Sequence, residues 1–318
     1  MKRYFILASA AIVALASCAK TEVVNTDGPQ EIAFKQLAGP ITKAEQANVT
    51  LSGDMGVYAL LNGTQNFYFQ NAEFEAKQDA TLWTGVTPYY WPLSGGLDFV
   101  VYAPYAAVAN ALPSYNPATK TLTVKADNSS HTTIADQTDY LYGAEYYSNA
   151  NNENKGYDKT TVSVPVILKH ALAKVTLSFT GENVQVSNVS LGNVRLSGTY
   201  SYNYANSTIS WTDISDPVAV SMISPNTGEG ALTENYVSLN STATSASLLV
   251  VPSTASNITF KYKLGENTTA LEYVIDLSSV TWVSGTHYTY AVTITPKEIK
   301  IDPTVDTNWA TGGDTITL

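Results

Sequence analysis

"TVSVPVILKHALAKVTLSF" (residues 161–179) is the stretch that says most about the fold. Its apolar residues first fall at even positions, Val162, Val164, Val166, Leu168 and Leu172, and then at odd ones, Val175, Leu177 and Phe179. Alternation with a period of two marks a β-strand with one buried face. The phase changes by one residue between His170 and Ala173, which turns every later side chain to the opposite face. The spacing therefore predicts a bulge at that point, or a strand that leaves one sheet and enters another. We place a boundary between two units just before this stretch, giving an N-terminal unit over 31–163 and a C-terminal unit over 164–318.

The flanking sequence reads the same way. Upstream, "EIAFKQL" (31–37) alternates through Ile32 and Phe34 before "AGPITKAEQ" (38–46) interrupts it. Further strands are predicted in "GVYALL" (56–61), "FYFQ" (67–70), "LDFVVYAPY" (97–105) and "TLTVKA" (121–126), and the one short helix in "AAVANAL" (106–112). The polar run "SNANNENKGYDK" (148–159) reads as a loop or a domain edge. Downstream come "VQVSNVSL" (184–191), "VRLSGTYSY" (194–202), "SLLVVP" (247–252), "ITFKYKL" (258–264), "LEYVIDL" (271–277), "HYTYAVTITP" (287–296) and "EIKIDP" (298–303). Strands at this spacing, separated by Gly, Asn and Pro and without helical crossovers, predict an all-β chain built of sandwiches.

Composition agrees. Charged residues are only 14% of the 318, whereas Tyr alone appears 21 times, and Thr, Ser, Asn and Val are plentiful. These types suit pleated surfaces and turns, and helix-favouring residues are scarce. With 17 basic against 27 acidic residues, and no basic stripe, the chain lacks the clustered Lys and Arg that phosphate backbones require, so nucleic acid is not an expected partner.

The N-terminus carries an address. Lys2 and Arg3 precede the uncharged run "YFILASAAIVALA" (4–16), too short for a membrane span of ~20 residues and typical of a secretory leader. Residues 15–18, "LASC", resemble the bacterial lipoprotein signal, in which a leucine and two small residues precede the cysteine that is acylated. Cys18, the chain's single cysteine, is then a membrane anchor, with 1–17 as signal peptide and 18–30 as a polar tether. Loss of Lys2 and Arg3 with the leader takes the net charge from −10 to −12.

Motifs for catalysis are missing. His131, His170 and His287 are far apart and fit no metal-ligand spacing, and there is no GxSxG elbow, phosphate loop or GxGxxG fingerprint. "ADNSS" (126–130) and "NANNEN" (149–154) lack the ligand spacing of a calcium loop and read as solvated turns. His170 reads as a structural histidine and His287 as an exposed strand start. No catalytic residue, metal or cofactor is assigned, and no enzyme activity is expected. Tyr89, Tyr90 and Trp91 offer apolar faces with polar edges that suit a sugar ring, or equally a plug at the end of a sandwich.

Taken in order, "LASC", "EIAF" (31–34), "ITKAE" (41–45), "YYWPLSGGLDFVVYAPY" (89–105), "DYLYGAEYY" (139–147), "LKHALAKVTLSF" (168–179), "LLVVP" (248–252), "GTHYTYAVTIT" (285–295) and "VDTNW" (305–309) resemble the fimbrillin family of Bacteroidales lipoproteins. The resemblance implies two tandem transthyretin-like Greek-key β-sandwich domains, an outer-membrane lipoprotein stage at the cell surface, and assembly with other pilin subunits into a type V pilus or fimbrium. It also implies proteolytic removal of the first strand (31–43). The family's Thr-Arg-Ala site corresponds here to Thr42, Lys43 and Ala44; the lysine is a departure, because a specific protease pocket distinguishes Arg from Lys.

A cut between Lys43 and Ala44 would remove lipid and first strand together, exposing a strand edge and an apolar groove that templates another chain. The C-terminal stretch, with Ile299, Ile301, Val305, Trp309, Ile316 and Leu318, is the expected donor; alternatively it is the last strand of its own sandwich. The competing function is a tip adhesin or surface glycan-binding lipoprotein that does not polymerise, with a host protein or glycan as partner.

Overall fold

The structure, a computed structural model, describes residues 28–36, 53–77, 82–131, 134–143, 156–223, 236–255, 257–267 and 269–307, and the strand at 315–317. Cys18, Lys43, Ala44, Trp309 and Leu318 lie outside the described residues. Among the described residues every regular element is a strand. In the first part of the chain these are β1 (Ala33–Gln36), β2 (Met55–Leu61), β3 (Phe67–Ala76), β4 (Trp83–Gly85), β5 (Leu97–Ala103), β6 (Ser114–Asn116), β7 (Thr121–Asp127), β8 (Leu141–Gly143), β9 (Val164–Val166) and β10 (Leu168–His170). There follow β11 (Ala173–Gly181), β12 (Val184–Val194), β13 (Ser197–Asn203), β14 (Thr208–Thr212), β15 (Val218–Ile223), β16 (Val237–Leu239), β17 (Thr244–Val250), β18 (Asn257–Leu264), β19 (Leu271–Asp276), β20 (His287–Ile294), β21 (Ile299–Asp306) and β22 (Thr315–Thr317).

The largest sheet has the order β10-β8-β5-β2-β3-β4-β1-β9. Its two terminal strands are consecutive in sequence, separated only by Ile167, and Val164, Val166, Leu168 and His170 are all buried on one side of that segment. One extended ribbon thus pairs β1 at its start and β8 at its end, and the sheet closes on itself. The interior is filled from every stave, by Ile32, Phe34, Val57, Phe74, Phe99 and Val166 among others.

The other side of β2, β5 and β8 is covered by a four-stranded sheet, β14-β13-β7-β6. Tyr58, Val100, Tyr102 and Tyr142 pack there against Tyr115, Leu122, Val124, Tyr200 and Tyr202. Strands buried on both faces cannot alternate, which is why β5 reads as the unbroken run "LDFVVYA" and is buried at all seven positions.

Residues 161–179 cross between sheets, as their phase change predicts. Through His170 the ribbon belongs to the closed sheet; Ala171 and Leu172 carry the chain across; from Ala173 it becomes β11 in the sheet β17-β11-β20-β21-β22. Odd residues Val175, Leu177 and Phe179 now point into a second core, shared with the sheet β15-β12-β18-β19 and with β16 on β12. The crossing falls a few residues later than a division at 164 places it, since β9 and β10 pair with N-terminal strands.

The chain also returns. "VRLSGTYSY" reads as one strand, but Val194 ends β12, whereas β13 begins at Ser197 in another sheet, pairing with β7 in the register Tyr200↔Val124. Within β12, Asn188 and Asn193 adopt positive φ at the two places where its ladders slip register. Asn tolerates that conformation better than most residues, and the resulting bulges kink the strand.

The predicted helix at 106–112 is absent. Asn110 and Ala111 both have positive φ, and Ala109 and Leu112 exchange backbone hydrogen bonds of 2.7 and 3.0 Å across them. That is a tight two-residue reversal, and the expected i→i−4 ladder cannot form through it.

Candidate functional site

The slot filled by β1 is where the sequence reading and the architecture meet. β1 lies inside the closed sheet, antiparallel to β4 (Ala33↔Thr84, Phe34↔Trp83) and parallel to β9 (Phe34↔Val164, Lys35↔Pro165, Gln36↔Val166). The residues before it extend the attachment: Ile32 N–H donates to the Tyr89 carbonyl at 2.7 Å, and Trp91 N–H donates to the Gln30 carbonyl at 2.9 Å.

Alternation then sorts the side chains. Ile32 and Phe34 are fully buried, Glu31 and Lys35 are exposed, and the small Ala33 between them is buried as well. The Phe34 ring meets Phe74 at 4.9 Å and Phe99 at 5.1 Å, both edge-on at 87°. Trp83 closes one side of this interior, its indole N–H donating to the Gly53 carbonyl at 3.1 Å.

Without β1, the staves β4 and β9 would be left with unpaired backbone groups facing an apolar trough. Such an edge is a template for strand addition. Pro165 has no N–H to offer, so β9 is a weaker edge than its length suggests.

The aromatic trio beside the slot does not form a common exposed platform. Tyr89 packs 4.3 Å from Phe69 and stacks on Phe74 at 5.9 Å. Trp91 is buried edge-on to Phe99 at 5.8 Å, and its indole N–H has no hydrogen-bond partner. Tyr90 alone is presented to solvent, at 46% exposure, and its carbonyl accepts from the Tyr68 hydroxyl at 2.8 Å.

At the C-terminal end, β21 pairs with β20 along its whole length, Ile299 to Asp306. Val305 is buried in the second core, and Ile299 and Ile301 pack partly buried against it. Ile316 lies in β22, which pairs with β21 in the register Val305↔Ile316. In this structure the anterior half of the expected donor stretch is thus a strand of its own sandwich.

The histidines are dispersed structural groups. Buried His170 faces Asp139, with 2.6 Å between Nδ1 and Oδ2. His131 lies beside Ser130 in an exposed turn. His287, expected to be exposed, is half-buried, with Nε2 2.7 Å from the Thr176 hydroxyl. Among the described residues no three His, Cys, Asp or Glu side chains gather as a metal would need.

Burial, reinforced by the neighbouring Lys174 ammonium, pushes His287 down to about 4, against an opposing pull from Asp306. Its folded pKa is below the unfolded value of 6.5, so the unfolded chain binds the extra proton between those values. The resulting stability is complete above pH 6.5 and is lost as pH falls towards 4. His287→Gln should reduce the acid-induced drop in thermal midpoint over that range, by the equivalent of about 1 kcal/mol once screening at a half-exposed site is allowed for. Parallel pH profiles for the two proteins would contradict this.

Comparison with known proteins bears on the whole chain. Residues 42–309 match the fimbrillin-like family. Among solved structures the chain is similar to a candidate cell adhesion protein from Bacteroides uniformis, at 20% identity and a TM-score of 0.52, covering 88% of this chain and 99% of that one. It is similar as well to one from Bacteroides ovatus, at 16% identity and a TM-score of 0.53, covering 87% and 96%. The fimbrial anchor protein Mfa2 from Porphyromonas gingivalis aligns at 12% identity with a TM-score of 0.41, covering 88% and 98%. A search of curated proteins found no match. At such identities the structural likeness speaks for the fold alone, but the family match spans most of the sequence: this chain belongs to the fimbrillin-like family.

Proposed function

We propose that this protein is a structural subunit or accessory lipoprotein of a type V pilus, exported to the outer membrane on a lipid at Cys18 and assembled by replacement of β1 with a strand from another subunit. Family membership gives the coarser statement, a non-enzymatic fimbrial or adhesive role at the cell surface. The observation that carries the finer one is the place of β1: a short interior stave, anchored by two fully buried side chains, in a sheet that closes only through it.

The sequence supplies the means of release. Cys18 lies upstream of β1 and Lys43-Ala44 downstream, so one cut frees the lipid and the stave together. The opened sheet then offers the edges of β4 and β9 to an incoming strand, and the new pairing restores both the ladder and the core.

Mass spectrometry of protein shed from the producing cells tests this reading. The expected mature N-terminus of polymerised material is Ala44. Polymers built only of chains that begin at acylated Cys18 would refute strand replacement.

A further inference from the structure

We infer that the β1 slot selects its occupant by an aromatic ring at the position of Phe34, and so takes a strand that carries a branched aliphatic residue and, two positions later, a ring. The inference rests on the strand-replacement reading and adds to it the chemistry of the partner.

The slot reads two side chains. Ile32 and Phe34 are fully buried and Ala33 between them is buried at 9%, whereas Glu31 and Lys35 face solvent, so the two flanking outward positions impose little and the middle one asks only for a small residue. The Phe34 position is the more demanding. Two rings, Phe74 and Phe99, present themselves edge-on at 4.9 and 5.1 Å. These rings are themselves fixed, Phe74 by Phe69 at 6.0 Å and Tyr89 at 5.9 Å, and Phe99 by Trp91 at 5.8 Å. An aliphatic side chain could fill part of the volume but has no quadrupole to meet either edge.

The pattern required is a branched aliphatic residue followed two positions later by an aromatic one. The expected donor stretch, 298–318, does not carry it. Its "DTITL" (314–318) alternates Ile316 and Leu318 without a ring, and its Trp309 follows Thr307 at that spacing. The other alternating stretch, Ile299–Asp306, is already held as β21.

The test uses the full mature chain cut after Lys43 and three fluorescent peptides, with binding followed by anisotropy. One is "PQEIAFKQ" (29–36), one is the same peptide with Phe34→Leu, and one is from the expected donor stretch, "TGGDTITL" (311–318). The first should bind at least about tenfold more tightly than either other, a difference of roughly 1.4 kcal/mol. Equal binding of all three overturns selection by the ring but leaves strand replacement intact. Binding of none, in a chain that has released β1, overturns both.

The uncut chain gives a second readout that does not depend on release. Phe34→Leu should lower the thermal midpoint about twice as far as Ile32→Val, because it removes two edge-to-face contacts as well as volume. A smaller loss for Phe34→Leu than for Ile32→Val would also overturn selection by the ring.

Discussion

Phe34→Ala should cost the uncut chain about 3–5 kcal/mol, the range for truncating a buried aromatic residue where the surroundings cannot collapse. Collapse is difficult here because Phe74 and Phe99 are held by further rings and β1 is tied into ladders on both sides. Lys35→Ala, one residue along on the exposed side, should cost within about 0.5 kcal/mol. Chemical denaturation read by intrinsic fluorescence would measure both. The result also bears on assembly. After a cut at Lys43 the variant should lose β1 faster, because less burial holds it. Once another strand has replaced β1, wild type and variant should be indistinguishable. A persisting difference in assembled material would mean that β1 never left.

Much of this arrangement was legible in local pattern. The phase change in 161–179 is a register statement, and the chain does change sheets there. Ile32 and Phe34 were visible as the buried face of a first strand, because alternation survives wherever one side of a strand meets solvent. What pattern cannot carry is the identity of distant partners. Nothing in "EIAFKQL" says that its neighbours are β4 and β9, or that its ribbon closes the sheet. Nothing in "VRLSGTYSY" says that its second half returns to pair with β7.

The aromatic trio shows the same limit at a single site. Tyr89, Tyr90 and Trp91 are consecutive, so alternation alone sends them to different faces, but only the packing shows that two of them wall the trough around Phe34. The helix expected at 106–112 failed for a different reason: small apolar residues favour a helix locally, whereas the reversal at Asn110 and Ala111 is fixed by pairing of the flanking backbone.

Gly56→Ala is expected to cost about 2–3 kcal/mol, by overpacking rather than by loss of backbone freedom. Gly56 faces Tyr102 directly across the β2–β5 ladder, and the Tyr102 ring folds over it. A Cβ at position 56 would lie 2.0 Å from the ring atom Cε1 and 2.1 Å from Cζ, far inside contact distance. The ring has little freedom to move away. Its hydroxyl lies 2.6 Å from Asn71 Oδ1 and donates to the Ala106 carbonyl at 3.1 Å, and its body is fully buried between the closed sheet and the sheet that covers it. Displacing it would break the pin between β2, β5 and the 103–106 turn. Gly53→Ala is the matched control, since nothing lies within 4 Å of a Cβ built there. A double-mutant cycle with Tyr102→Leu would isolate the clash: with the ring removed, Gly56→Ala should become nearly neutral, giving a coupling of about 2 kcal/mol. Additive losses would show that the glycine serves the backbone and not the ring.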